Sequence, residues 1–87
     1  MDEIKRGGEA KMLLDHPLLK EAFQSVRSSL ETQRQRAAAK DTDLHTKLIL
    51  TEQCLSALEH SLKSTIATGE MAQIKLKQSA MERIFQR

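Results

Sequence analysis

Two stretches of the chain carry apolar residues at alternating steps of four and three, separated by the polar turn Lys40-Asp41-Thr42-Asp43. That rhythm returns side chains to one face of a 3.6-residue helix. It fits no strand, where side chains alternate every two residues. Over residues 17–39 it runs through Leu19, Phe23, Val26, Leu30 and Ala37, with Gln33 in one polar slot and Leu18 and Ala22 widening the stripe. Over residues 43–68 it runs through Leu44, Leu48, Thr51, Leu55, Leu58, Leu62 and Ile66. Ile49, Leu50, Cys54 and Ala57 flank this second seam and make it too broad for a simple two-stranded coiled coil. Matched lengths joined by a short turn favour antiparallel pairing. The expected fold is therefore all-α: an antiparallel helical hairpin of two long helices, with short helical arms at both ends. The expected hairpin seam is Leu19, Phe23, Val26, Leu30, Leu44, Leu48, Leu55, Leu58, Leu62 and Ile66.

Local punctuation divides the rest. Residues 1–8 are charged and end in Gly7-Gly8, which reads as a flexible arm. Residues 9–15 suit a short helix with Met12, Leu13 and Leu14 as an apolar patch. His16-Pro17 ends it, because the residue before proline is pushed out of the α region and Pro17 suits the first position of a new helix. Asp15 or His16 caps that helix, with Asp15 the better acceptor. Arg34, Arg36 and Lys40 complement the negative carbonyl end of the first long helix, and Asp41-Thr42-Asp43 suits the start of the second. Gly69 reads as a terminator. Beyond it, residues 70–86 suit a C-terminal helix with one stripe of Met71, Ile74, Met81 and Phe85 and another of Ala72, Leu76, Ala80 and Ile84. The first stripe is a candidate docking surface, since methionine adapts to irregular partners.

Eighty-seven residues make a single helical domain (1–87), near the lower limit where one core stabilises a fold unaided. Twelve Leu and five Ile carry the hydrophobic burden, with only two aromatic residues, so a homo-oligomer or a protein partner is expected to supply further burial. The net charge of +2 exerts no global pull toward nucleic acid or anionic lipid. A single cysteine, Cys54, forms no internal disulfide and points to a reducing compartment. The N-terminus has no apolar secretion core, and no stretch approaches 18 apolar residues, so neither a signal peptide nor a membrane association is expected.

Chemistry-bearing motifs are few. His16, His45, His60 and Cys54 show no i,i+4 pairing, no C-x-x-C and no H-E-x-x-H, so neither a metal site nor a nucleophile is expected. Gly7-Gly8 lacks the spacing of a phosphate-binding loop. No catalytic residue, cofactor or small-molecule substrate is therefore assigned, and the chain is read as no enzyme. Arg27, Arg34, Arg36 and Lys40 form the one basic run with a functional reading, contact with nucleic-acid phosphates. Against it, Arg27 and Arg34 lie on one side and Arg36 and Lys40 on another, and no Tyr or Trp is available for base stacking. A solvated face is the simpler account.

Pro17-Leu18-Leu19-Lys20-Glu21-Ala22-Phe23, then Leu58-Glu59 and Ile66-Ala67-Thr68-Gly69-Glu70-Met71-Ala72, resemble small helical proteins of tailed bacteriophages and prophages, often encoded near head-assembly genes. The resemblance covers about residues 9–73. It implies a non-enzymatic, virion-associated protein of the head, connector or a cement layer, found in the virion or host cytoplasm and acting through helix packing. It assigns no catalytic residues. A DNA-packaging or regulatory nucleic-acid-binding factor and a small inhibitor of a host protein are the alternatives.

Overall fold

The computed structural model describes residues 2–85, so Met1, Gln86 and Arg87 lie outside it. The described residues form three helices: α1 (Asp2–Asp15), α2 (Pro17–Arg36) and α3 (Thr42–Phe85). They fall into two units, one of residues 2–14 and 61–85, the other of residues 15–60.

The break between α1 and α2 is the one the proline dictates. His16 is extended at φ −65° and ψ 124°, and Pro17 opens the next helix. The cap is His16 rather than Asp15. The Leu18 N–H donates to His16 Nδ1 at 3.1 Å, while Asp15 closes α1. The ring nitrogen lies within two residues of the free N–H groups of the first turn, so it satisfies one of the donors a helix start leaves orphaned.

Helix α2 ends at Arg36, three residues before the expected limit. The Ala37 N–H donates to the Gln33 carbonyl, and the chain then turns extended. The turn closes without a left-handed residue: no non-glycine and no glycine among the described residues has a positive φ. Asp41 makes this possible. Its N–H donates to the Ala38 carbonyl at 3.0 Å, and its carboxylate accepts the Leu44 N–H at 3.1 Å. His45 adds a clip, its Nε2 lying 3.1 Å from the Ala38 carbonyl oxygen. A carbonyl only accepts, so Nε2 carries the proton there. Removing the cap with Asp41→Ala is expected to cost about 1 kcal/mol of helix stability, read as a lower urea midpoint. Asp41→Asn, which keeps a side-chain oxygen, should lose far less.

Within the 15–60 unit, Arg27 of α2 pairs with Glu59 of α3. Farther along α2, Leu30 and Arg34 share a cleft with Leu48 and Glu52. As α2 numbers rise α3 numbers fall, the order of an antiparallel pair. Leu48 is the buried side chain of this unit at 8% exposure, and Leu19, Phe23, Leu30, Leu44 and Leu55 are half-buried. Two expected seam residues differ: Val26 is 43% and Leu58 55% exposed. An α-helix drifts off a strict seven-residue repeat, so a rhythm counted in sevens carries some of its positions round to water.

The other unit corrects the expected element boundaries most. Residues 2–8, read as a flexible arm, and residues 9–15 are one helix, α1, with Gly7 and Gly8 inside it. Gly69 does not terminate a helix. A glycine stops one by adopting the left-handed conformation, and none does so here. The expected helices 43–68 and 70–86 are therefore one element, α3. The glycines serve a close approach instead. A Cβ at Gly7 would lie 2.9 Å from the Gly69 Cα and 3.2 Å from the Thr65 carbonyl oxygen; one at Gly69 would lie 2.9 Å from both the Glu3 carbonyl oxygen and the Gly7 Cα. Two backbones touch where both side chains are hydrogen. Ala10 is also buried there, and Leu62 and Ile66, expected in the hairpin seam, are half-buried in this unit, with Ile66 bordering a cavity shared with Ile4 and Gly7.

Candidate interaction surfaces

A cleft of about 270 Å³ lies between α2 and α3 in the 15–60 unit. Leu30, Leu48 and Ile49 give it an apolar floor, and Arg27, Glu31, Arg34, His45 and Glu52 give it a charged margin. Those charges are largely committed. Arg27 is paired with Glu59, and Arg34 with Glu31 one helical turn away. The hydrogen bond from Arg34 holds the Glu31 carboxyl below the usual carboxylate range and the Arg34 guanidinium above its own. A depressed carboxyl adds stability that is complete above its unfolded-state pKa and lost as pH falls through the folded one. Both groups are solvent-exposed, so the pair contributes little to stability. His45 spends its Nε2 on the turn.

Of the four candidate nucleic-acid residues, the structure brings Arg27 and Arg34 to this cleft and leaves Arg36 and Lys40 outside it, in the last turn of α2 and in the connection. The two that share a surface are neutralised by glutamates. Phosphate contact draws on cations whose counterions are released on binding, and a cation already paired within the protein offers less of that gain. Glu59 is 32 residues from Arg27, too far for any local charge pattern to reveal the pairing.

No group of three or more His, Cys, Asp or Glu side chains among the described residues is arranged to hold a metal ion. Cys54 is free and exposed. No helix among the described residues is long and apolar enough to cross a membrane.

Much of the chain's large apolar surface is exposed. Among the described residues only Ala10 and Leu48 are buried apolar side chains, against thirteen large apolar side chains that are exposed. The candidate docking stripe belongs to the second group: Met71, Ile74, Met81 and Phe85 are 55%, 49%, 56% and 77% exposed. Isolated apolar side chains at a surface are ordinary, whereas contiguous ones mark interaction sites. Four recurring along one helix at steps of three, seven and four make a strip on one face, with Gln78 in its one polar slot. No protein family matches the chain, and no curated protein or solved structure matches it.

Proposed function

We propose that this chain is a non-enzymatic interaction protein, a virion-associated component of a tailed bacteriophage that works by packing its helices against protein partners. The observation that carries the reading is the imbalance between two buried apolar side chains and thirteen large exposed ones. Burying apolar surface contributes roughly 25 cal/mol per Å², so a chain with so little interior gains its further stability where a partner covers the strip. The α2–α3 pair of the 15–60 unit acts as an antiparallel hairpin with a small core around Leu48, and the 70–85 stretch of α3 supplies docking surface. The commitment of Arg27 and Arg34 to glutamates weighs against a nucleic-acid-binding role.

The phage assignment rests on the sequence resemblance alone, and particle content tests it. Mass spectrometry of purified particles from the producing lysogen should find the chain at a fixed ratio to the head proteins. Particles that contain head proteins and lack this chain would overturn the virion assignment.

A further inference from the structure

The end of α3 carries charges at a spacing that an isolated helix cannot use. Side chains on one helix pair at separations of three and four. Here Glu70 is followed by Lys75 five residues on, and Lys77 by Glu82 five residues on. Among the described residues none of these four takes part in an ion pair. Five is the separation at which side chains flanking the seam of one helix meet those of a parallel neighbour in register. With Met71 as an a position, Ile74 and Met81 fall at d, Gln78 and Phe85 at a, Glu70 and Lys77 at g, and Lys75 and Glu82 at e. Both g-to-e combinations then join opposite charges.

Resting on the interaction-protein reading, we propose that residues 70–85 of α3 pair with the same residues of a second copy as a short, parallel, in-register coiled coil. Glu70 of each copy meets Lys75 of the other, and Lys77 meets Glu82, so a symmetric dimer carries each attraction twice. An antiparallel arrangement aligned through the same apolar layers keeps only the Lys75–Glu82 attraction, so the charges select the parallel one. Gln78 sets the register, because a polar side chain at one a position is satisfied only opposite its own copy. The strip is accessible: α1 lies on the far side of the helix, against Ile66, Gly69 and Gln73, which occupy c and f positions. Glu70 borders that same cavity at its edge, so the cleanest test uses Lys77 and Glu82, which do not touch it.

Sedimentation equilibrium of the whole chain over about 1–500 μM, the range suited to a small transient interface, measures the association. The wild type is expected to dimerise reversibly. Lys77→Glu turns two attractions into repulsions and should weaken dimerisation about five- to tenfold. Lys77→Glu with Glu82→Lys restores opposite signs and should recover it. Gln78→Cys in a Cys54→Ser background should then oxidise to a symmetric disulfide dimer, as only the parallel register brings position 78 against itself. A wild-type chain that stays monomeric throughout, or an association indifferent to the Lys77 reversal, overturns the coiled coil. Either result leaves the interaction-protein reading to be decided by particle content.

Discussion

Gly69→Ala is expected to destabilise the α1–α3 contact, although alanine is the better helix former by about 1 kcal/mol. The new methyl would sit 2.9 Å from the Glu3 carbonyl oxygen and from the Gly7 Cα. Both are backbone atoms of α1, so no rotamer change relieves the overlap and the helix itself must move. Overpacking of this kind costs about 1–3 kcal/mol, which outweighs the propensity gain. Gly7→Ala should behave alike, since its Cβ would meet the Gly69 Cα and the Thr65 carbonyl oxygen. Gly8→Ala is the control. Nothing lies within 4 Å of a Cβ there, so that variant collects the propensity term and should be more stable by up to about 1 kcal/mol. Hydrogen exchange across residues 2–15 reads the difference directly: lower protection in Gly7→Ala and Gly69→Ala, higher in Gly8→Ala. If all three gain protection, the two backbones do not meet.

What the sequence shows and hides divides along the range of the interactions. The helical character, the break at Pro17 and the acidic start at Asp41 depend on residues a few positions apart, so they are legible in the chain. The continuity of α3 is not. Gly69 stops a helix only if its φ turns positive, and whether it does depends on α1, more than fifty residues away in the sequence. Gly7-Gly8 suggests a flexible arm in the sequence alone, whereas the missing side chain of Gly7 makes room for another backbone. Arg27 and Arg34 show the limit for charge. Two members of the four-residue basic run are paired with glutamates, Arg34 with nearby Glu31 and Arg27 with Glu59, and only the second pairing lies beyond the reach of a local charge pattern. A usable signal for the Gly7–Gly69 contact did exist. All three of the chain's glycines sit inside helices, where each costs about 1 kcal/mol relative to alanine, and such a cost points to a close approach when no turn follows; it does not tell Gly7 from Gly8, where nothing lies within 4 Å of an added Cβ.

Leu48→Ala should produce the largest loss in the 15–60 unit. At 8% exposure Leu48 is its one buried apolar side chain, and removing its three outer carbons forfeits their transfer energy and leaves a void. Leu-to-Ala changes in closed cores cost about 2–5 kcal/mol. This site borders an open cleft of about 270 Å³ that water can enter, so the lower part of that range, about 2–3 kcal/mol, is expected here. Leu58→Ala supplies the comparison. Leu58 is 55% exposed, and its truncation should cost no more than about 1 kcal/mol. The two residues are ten positions apart, about 80° round the helix, so the pair of variants measures which way α3 is turned against α2. Helical circular dichroism through a urea titration gives both values from the shift in midpoint. Equal losses at the two positions would mean that α3 presents a different face to α2, and that the cleft is lined by other side chains.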